Sequence, residues 1–287
     1  MQEAIESVFA QTYPAWELLL VDDGSSDGSA GIAWRWAERY PERVRYLEHP
    51  EHANRGMSAS RNLGIRNAQG AYIAFLDADD VWLPNILEDQ VAILEACPGA
   101  AMVYGPIQWW YSWTGEPGDG ERDYVEKLGV PPNTTIQPPR LLPLFLRDKA
   151  AVPSGILVRR QIIEQLGGFE DTFRGEYEDQ VFCAKICLSA PVFASGQCWY
   201  RYRQHSGSSV SVGQSTGETH RARSRFLSWL EAYLTAQRVQ DPCVWRALWL
   251  ESLRYRHPQA FRLLLRGEHL TKRIGGFFLN AAETGGS

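Results

Sequence analysis

The chain has 287 residues, of which 44% are hydrophobic and 22% charged, and it carries a formal net charge of −5. This length suits one large domain or two small ones with a full hydrophobic core, so folding requires no disulfide or metal staple. The acidic balance excludes a dedicated nucleic-acid binder, which would present a basic face, and five scattered Cys residues predict reduced thiols and a cytoplasmic location.

Helices and strands alternate in the predicted order of elements through residue 104. A first helix follows Met1 and ends near Tyr13 and Pro14. Apolar stretches predict strands at 16–21, 44–47, 71–76 and 101–104, and helical periodicity predicts helices at 30–40, 54–68 and 84–97. The continuous apolar stretch at 16–21 is typical of a strand that is buried on both faces. This alternation predicts an α/β fold with a mostly parallel central sheet flanked by helices.

Residues 105–140 break this pattern and predict a long irregular insertion. They combine the aromatic residues Trp109, Trp110, Tyr111 and Trp113 with sequence rich in Gly and Pro. Loops of this length are usually functional or disordered. Regular structure resumes with strands near 156–158, 191–194 and 198–203 and helices near 161–166 and 176–187. From about residue 218 the pattern is helical, with a break at Pro258.

Two acidic clusters follow predicted strands, at the strand ends where parallel sheets bind their ligands. Asp22 and Asp23 begin one Gly- and Ser-rich turn, and Asp77, Asp79 and Asp80 follow a later strand. Carboxylates gathered in a pocket repel one another, and a divalent cation relieves that repulsion. Such a cation is commonly held by one or two carboxylates together with substrate phosphates. One acidic turn alone would more often be solvated surface, but two at matching strand ends indicate a site for Mg²⁺ or Mn²⁺.

Motif spacing excludes several other sites. Residues 22–33 are not a calcium-binding EF-hand loop, since Ala33 stands where the twelfth position requires Glu. The dinucleotide pattern G-x-G-x-x-G and the phosphate-binding pattern G-x-x-x-x-G-K-[ST] do not occur. The stretch from Asp77 to Val81 is also similar to the motif of haloacid-dehalogenase-type phosphatases. That family places the motif on its first strand, whereas at least two predicted strands come before it here.

A series of longer strings carries a more specific resemblance. They are Ala10–Pro14, Glu17–Asp27, Asn54–Asn62, Gly70–Trp82 with Pro84 and Gln90, Gly167–Phe169, Glu178-Asp179, and Tyr202–His205 with Ser208. In these strings the chain resembles glycosyltransferase family 2, the nucleotide-sugar-dependent transferases with the GT-A fold. The resemblance implies a catalytic GT-A domain over 1–215, with a nucleotide-binding part at about 1–104 and an acceptor part at about 105–215. A helical C-terminal extension would follow over 216–287.

The resemblance also implies roles for the two acidic clusters. Asp22 and Asp23 resemble the pair that binds the nucleotide, in which one carboxylate accepts a hydrogen bond from uracil, thymine or guanine. Asp77 and Asp79 resemble the D-x-D motif, which holds the metal ion and contacts the ribose. Asp80 is adjacent and is able to share either task. The expected substrate is therefore a nucleoside-diphosphate sugar, bound together with Mg²⁺ or Mn²⁺.

The remaining implied roles concern the diphosphate and the acceptor. Arg61 resembles a residue near the diphosphate, and His205 a late contact to the diphosphate or the metal, although an ordinary surface position also fits each. Asp179 resembles the general base, with Glu178 as the second candidate and Glu176 close by. A carboxylate within about 2.6–3.2 Å can take the proton of an attacking hydroxyl. The resemblance implies metal-dependent transfer with inversion at the sugar carbon C1, in the synthesis of polysaccharide or another glycan.

One element of the family pattern is missing. Members begin with an apolar strand some dozen residues before the helix that here starts at Met1, and no such strand precedes it in this sequence. That strand is central in the family's sheet, so its loss would expose two apolar strand edges. A start of the chain further upstream is the interpretation that we favour. A second function also stays open, that of a non-catalytic or truncated relative that binds a sugar nucleotide or a glycan.

Aromatic and basic segments suggest where other partners bind. Aromatic rings suit the apolar faces of sugars, so Trp109 and Trp110 are candidate acceptor contacts, with a core or lid cluster as the alternative. Residues 221–287 hold 11 Lys and Arg against 5 Asp and Glu, a pattern that fits peripheral contact with an anionic membrane or a helical cap. Glycan and lipid-linked acceptors are both compatible with the family. No apolar run reaches the roughly 20 residues that a membrane span needs.

Overall fold

The computed structural model describes residues 1–208, 211, 213, 217–256, 259 and 261. The chain divides into a first compact unit, Met1–Ala222, and a second that begins at Arg223. The expected boundary near residue 215 between a catalytic domain and a helical extension stays a prediction. The predicted break at Pro258 and the basic, apolar tail after residue 261 lie outside the described residues.

Helices and strands of the first unit follow the predicted order closely up to residue 105. The helices are α1 Gln2–Phe9, α2 Ser29–Arg39, α3 Met57–Asn67, α4 Ile86–Ala96, α5 Leu142–Leu146, α6 Arg160–Leu166 and α7 Glu178–Ser189. The strands are β1 Leu18–Asp22, β2 Val44–Glu48, β3 Tyr72–Ala74, β4 Val81–Trp82, β5 Met102–Gly105, β6 Ile107–Trp110, β7 Tyr124–Val125, β8 Thr134–Ile136, β9 Ser154–Arg159, β10 Val192–Ala194 and β11 Tyr200–Arg203. Short 3-10 helices lie at Pro50–His52, Ser112–Thr114 and Asp119–Arg122.

The strands belong to three sheets of mixed direction. β1 and β2 form a parallel pair, the five-stranded sheet has the order β3-β9-β5-β10-β8, and the four-stranded sheet has the order β4-β11-β6-β7. Besides β1–β2, the pairs β5–β10 and β6–β11 are parallel. The expectation of a mostly parallel sheet is therefore inexact, because β9 enters antiparallel to both β3 and β5.

Part of the segment that was expected to be irregular is regular. It contains β6, β7 and β8. β6 pairs in parallel with β11 along its whole length, so that Ile107 faces Tyr200 and Trp110 faces Arg203. The partner strand lies far later in the chain, and local Gly and Pro content cannot reveal such pairing. The insertion therefore contributes two strands to the sheet that also carries β4, which follows the D-x-D motif.

β1 is half-buried along most of its length, although its apolar sequence predicts burial on both faces. Leu18, Leu19, Leu20 and Val21 are all partly exposed. Among the strands that the structure describes, β1 pairs with β2 alone and β3 pairs with β9 alone. The two acidic clusters that follow β1 and β3 therefore belong to two separate sheets.

The core of the first unit forms where α4 packs against β5 and β9. Ile86, Val91 and Leu94 are buried at the spacing of one helical face, and Val103 and Leu157 meet them from the strands. α7 is buried along most of its length. The helix that carries the two candidate general bases, Glu178 and Asp179, is therefore held in place by the burial of its side chains.

The part of the second unit that the structure describes consists of helices, as the sequence predicts. α8 is Glu218–Ala236, most of which belongs to this unit, and α9 is Pro242–Arg256. Buried Leu and Phe residues line α8, and Arg223 forms a buried ion pair with Glu251 at 3.3 Å. None of the helices in the described part of the chain combines the length and the apolar character that crossing a bilayer requires.

Candidate active site

Asp22 is the last residue of β1 and is buried. Its Oδ1 accepts a hydrogen bond from the Ser25 backbone N–H at 3.0 Å, and its Oδ2 accepts one from the Tyr46 hydroxyl at 2.9 Å. Burial raises the pKa of Asp22, but these hydrogen bonds outweigh it, and the pKa lies below its ordinary value. Asp22 is therefore an ionised acceptor at neutral pH, with lone pairs left for one more donor.

Asp23 holds the start of α3. Its carboxylate accepts hydrogen bonds from the backbone N–H groups of Arg55 at 2.7 Å and Gly56 at 2.9 Å. Gly56 has a φ of 89°, and a Cβ there would lie 3.1 Å from the Cβ of Arg174, so glycine is required. Both oxygens of Asp23 therefore accept from the backbone that leads into α3, and the nucleotide-binding role expected of the Asp22-Asp23 pair stays a prediction.

Glu48 and His52 lie beside Asp22. One ligand atom from each of these three side chains lies within 4.8 Å of the other two. His52 Nδ1 is 3.1 Å from Glu48 Oε2 and 3.6 Å from Asp22 Oδ2. The Ser25 carbonyl and the Glu48 carboxylate, which both accept from the ring, raise the pKa of His52. This potential ion-binding group includes one predicted nucleotide-binding residue and none of the four predicted metal ligands.

Arg61, on α3, connects the D-x-D motif to Glu178, one of the two candidate general bases. Its Nη2 donates to Asp77 Oδ1 at 2.8 Å, and its Nη1 donates to Glu178 Oε1 at 3.0 Å. The side chain is only 15% exposed, and its guanidinium lies 5.3 Å from the centre of the Phe169 ring. The sequence placed Arg61 near the diphosphate or on the surface, and the structure places it inside the carboxylate cluster.

Asp79 and His205 are in contact. His205 Nε2 lies 3.0 Å from Asp79 Oδ2, and the Asp79 side chain is 45% exposed. Since Asp79 belongs to the turn after β3 and His205 follows β11, this contact brings two distant predicted metal contacts together. The ring of Trp113 meets the His205 ring edge-on at 6.5 Å.

Asp80 differs from its two neighbours and is buried, with 1% of its surface exposed. Its Oδ2 accepts from the Tyr200 hydroxyl at 2.5 Å, and its Oδ1 accepts from the Arg203 backbone N–H at 2.8 Å. Burial raises the pKa of Asp80 to about 7. Both oxygens of Asp80 are therefore bound by β11 and fix the turn, and the expected metal or ribose contact of Asp80 stays a prediction.

Glu178 and Asp179 begin α7. Burial raises the pKa of Glu178 to about 7, followed by the charge of Asp179, while Arg61 opposes the rise. Burial also raises the pKa of Asp179, whose Oδ1 accepts from the Gln180 N–H at 2.7 Å. The preceding residue, Tyr177, has a left-handed φ of 77°, which is uncommon for a bulky side chain and concentrates at functional sites.

The Gly167–Phe169 loop ties α3 to α7. Asn62 Nδ2 donates to the Phe169 carbonyl at 2.9 Å, and Asn62 Oδ1 accepts from the Phe169 N–H at 2.9 Å. The Phe169 ring stacks on Phe182 of α7 at 4.1 Å. Buried Lys185 of α7 donates to the Gly168 carbonyl at 3.0 Å. These contacts set the spacing between Arg61, one residue before Asn62, and the Glu178-Asp179 pair.

Trp109 and Trp110 lie on β6, but protein groups already occupy much of their surface. Trp109 stacks on Tyr124 at 5.7 Å, and its Nε1 donates to Glu126 at 3.4 Å. Trp110 has the guanidinium of Arg203 4.8 Å from its ring centre and donates from Nε1 to Ser112. Their expected role in binding the acceptor stays a prediction.

Sequence reasoning missed three residues that organise the site. Tyr200 and the Arg203 backbone hold Asp80, Arg203 Nε donates to the Asp79 carbonyl at 2.6 Å, and Asn62 holds the Gly167–Phe169 loop. The alternation of Tyr and Arg over 200–203 was a usable signal, because alternate strand residues point to opposite faces. The sequence around Asn62 does not predict its hydrogen bond to Phe169, which lies 107 residues later.

The donor set of the cluster fits a divalent cation. Asp77, Asp79, Glu178 and Asp179 supply four carboxylates against the guanidinium of Arg61. Among the described residues, Asp77 Oδ2 and Asp79 Oδ1 have no hydrogen-bond partner. Both side chains are 45% exposed. Hard carboxylate oxygens are the ligands that Mg²⁺ and Mn²⁺ prefer.

The mixed α/β sheets, the D-x-D motif and the Glu-Asp pair together match the GT-A fold class. The chain belongs to the family described as Glycosyl transferase family 2, which matches residues 1–167. The sequence-based assignment of the family and of the fold is thereby confirmed.

Two relatives and one solved structure illustrate the similarity. The chain is 42% identical over 95 residues to the putative glycosyltransferase EpsE of Bacillus subtilis, a match that covers 33% of this chain and 34% of EpsE. It is 41% identical over 91 residues to the Escherichia coli UDP-Glc:alpha-D-GlcNAc-diphosphoundecaprenol beta-1,3-glucosyltransferase WfgD, over 32% of this chain and 34% of WfgD. The chain thus spans about a third of the length of these curated relatives.

The solved structure is the mannosyltransferase PcManGT from Pyrobaculum calidifontis in complex with GDP-Man and Mn²⁺. It has a TM-score of 0.56 and 19% sequence identity, and the alignment covers 100% of this chain and 72% of that one. At this identity the likeness supports the GT-A fold.

Proposed function

We propose that the chain is an inverting glycosyltransferase of the hexosyltransferase type, which moves a sugar from a nucleoside-diphosphate sugar to an acceptor hydroxyl. The observation that carries this proposal is the contact of Arg61 with both Asp77 and Glu178. This contact brings the D-x-D motif and the two candidate general bases, Glu178 and Asp179, into one cluster. The names of WfgD and PcManGT, which state UDP-Glc and GDP-Man, support a nucleotide-sugar donor.

In this proposal Asp77 and Asp79 hold Mg²⁺ or Mn²⁺, with His205 in contact with Asp79. When bound, the ion neutralises the negative charge that develops on the departing diphosphate. Arg61 adds a fixed positive charge beside Asp77, which favours the diphosphate at this end of the site. Asp22 is the candidate acceptor for a hydrogen bond from the base, and Asp23 acts indirectly by fixing the start of α3.

Asp179 is the proposed base and Glu178 its positioning neighbour. Glu178 is bound to Arg61, whereas the carboxylate of Asp179 accepts from the adjacent Gln180 N–H and is freer to reach an acceptor. The acceptor hydroxyl gives its proton to Asp179 while its oxygen bonds to C1 of the sugar. The bond from C1 to the diphosphate oxygen breaks, and its electron pair leaves with the nucleoside diphosphate. Attack opposite the leaving group inverts C1.

The acceptor in this proposal is a glycan or a lipid-linked glycan, and the reaction belongs to the synthesis of polysaccharide or another glycan. The name of WfgD supports the lipid-linked alternative, since it specifies a diphosphoundecaprenol acceptor. A cytoplasmic location with peripheral membrane contact through the basic C-terminal helices completes the proposal.

The test compares binding and turnover of UDP-, dTDP- and GDP-sugars in the presence of Mn²⁺. We expect Asp179→Asn to lower the release of nucleoside diphosphate by at least about 100-fold, the usual contribution of a general base, while nucleotide binding persists. Glu176→Gln is the matched control, since Glu176 is bound by Thr219 at 2.8 Å and should keep its activity. Turnover of Asp179→Asn near the wild-type rate would refute the base assignment. Wild-type binding without turnover would favour the non-catalytic alternative.

A further inference from the structure

Three aromatic rings form a ladder across one face of the four-stranded sheet. Tyr202 of β11 pairs with Trp109 of β6, and Trp109 pairs with Tyr124 of β7. The Tyr202 ring meets Trp109 edge-on at 5.1 Å, and Trp109 stacks nearly parallel to Tyr124 at 5.7 Å with 7° between the ring planes. We call these three residues the aromatic ladder.

The outer end of the aromatic ladder faces solvent. Tyr124 is 50% exposed and lies on the edge strand of its sheet. One face of its ring covers Trp109, so the open ring of the ladder belongs to Tyr124 rather than to either Trp that the sequence singled out. Sugar rings present C–H groups on their apolar faces, and these groups pack well on the negative face of an aromatic ring.

The inner end of the aromatic ladder lies on β11, the strand that binds Asp80 through Tyr200 and the Arg203 backbone. Tyr202 is half-buried, and its hydroxyl has no hydrogen-bond partner among the described residues. Burial and then the negative charges of Asp80, Asp79, Asp77 and Asp179 raise the pKa of Tyr202 to about 12. Tyr202 lies on the same face of β11 as Tyr200, whose hydroxyl binds Asp80. A phenol with no hydrogen-bond partner among the described residues suits the hydroxyl groups of a bound sugar.

We infer that the aromatic ladder is the binding surface for an extended glycan acceptor, with the reacting sugar at Tyr202 and the next sugar stacked on Tyr124. This inference rests on the proposed glycosyltransferase function. Neighbouring strands lie about 4.8 Å apart, so β7 is roughly 10 Å from β11. A single pyranose ring is shorter than this distance. The ladder therefore favours acceptors of two or more sugar units over monosaccharides.

The test measures sugar binding by isothermal titration calorimetry in the presence of Mn²⁺ and the nucleoside diphosphate that the protein binds. The probes are gluco-, galacto-, manno- and N-acetylglucosamine saccharides of one, two and four units. We expect at least one series to bind about tenfold more tightly at two units than at one, which corresponds to about 1.4 kcal/mol. Tyr124→Ala should remove this gain, and Tyr124→Phe should keep it because the ring remains.

Val125→Ala is the matched control, since Val125 is 51% exposed on the same edge strand and lies on the opposite face. It should leave the gain with chain length unchanged. A gain that survives Tyr124→Ala would overturn the inference, as would a wild-type protein that binds nucleotide with Mn²⁺ but none of the saccharides. Absence of Mn²⁺-dependent nucleotide binding would instead overturn the proposed function, and this inference with it.

Discussion

Arg61 donates a hydrogen bond of 3.0 Å to Glu178, and this contact joins α3 to the first turn of α7. The same guanidinium binds Asp77, so one buried cation compensates carboxylates from two separate motifs. An arginine suits this position because its planar group presents several donors in fixed directions, which a lysine does not.

Arg61→Ala should destabilise the protein by about 3–5 kcal/mol, since it leaves the buried carboxylate of Glu178 without its cation. Mn²⁺ should restore more stability to this variant than to the wild type, because the ion takes over part of the lost positive charge. Urea unfolding with and without Mn²⁺ measures both effects. Arg66→Ala, which removes an exposed arginine from the same helix, is the control. Equal stabilisation of Arg61→Ala and wild type by Mn²⁺ would contradict this expectation.

Asp79→Asn and Asp80→Asn should separate the ligand-facing carboxylate from the structural one. We expect Asp79→Asn to abolish the Mn²⁺-dependent part of nucleoside-diphosphate binding, because it removes an exposed carboxylate oxygen. Asp80→Asn should retain that binding, because Asp80 contacts Tyr200 and Arg203. Thermal shifts with UDP, dTDP and GDP provide the measurement, and a ligand at 100 times its Kd adds about 2.7 kcal/mol. Loss of the Mn²⁺ effect in Asp80→Asn alone would reverse the assignment.

Asp80 should also make stability fall as pH rises. Its pKa is raised to about 7 in the folded protein, whereas an unfolded Asp has a pKa of about 3.9. Between these values the folded state binds more protons, so the free energy of unfolding decreases with pH, by at most about 1.4 kcal/mol per unit. Below the unfolded pKa of about 3.9, Asp80 is protonated in both states and causes no further change in the free energy of unfolding. Urea unfolding of metal-free protein from pH 4 to 8 should show this loss in wild type and a flatter profile in Asp80→Asn.

Asn62→Ala should cost about 1–3 kcal/mol, since it leaves the buried Phe169 backbone groups without partners. Gly168→Ala should also destabilise, because Gly168 has a φ of +69° and a Cβ there would lie 2.4 Å from Asn62 Oδ1. Asn67→Ala, which removes a hydrogen bond within α3, serves as the control. Chemical denaturation measures all three, and an Asn62→Ala loss no larger than that of Asn67→Ala would show that the loop does not depend on this contact.

The sequence predicted the helices and strands up to residue 105 well, because apolar periodicity and Gly or Pro boundaries are local signals. It placed Asp77 and Asp79 at a strand end and Glu178 and Asp179 at a helix start, as the structure does. It could not foresee that β6 pairs with β11 or that β9 runs antiparallel beside β3, since strand pairing depends on distant partners. For the same reason the burial of Asp80 beneath Tyr200 was invisible.

The division between the β1–β2 pair and the five-stranded sheet has a consequence for ligand binding. No backbone ladder among the described strands fixes the separation of Asp22 from Asp77. That separation depends instead on helix and side-chain contacts. Asp23 holds one end of α3, whose Arg61 binds Asp77, and Glu17, just before β1, accepts from the backbone N–H groups of Gln69 and Gly70. A nucleotide sugar that contacts both carboxylates would connect the β1–β2 pair to the five-stranded sheet through the ligand, where no backbone hydrogen bonds between the described strands do so. The donor would then add a further link between the two sheets, and its departure after transfer would leave only the protein's own side-chain and helix contacts to hold them.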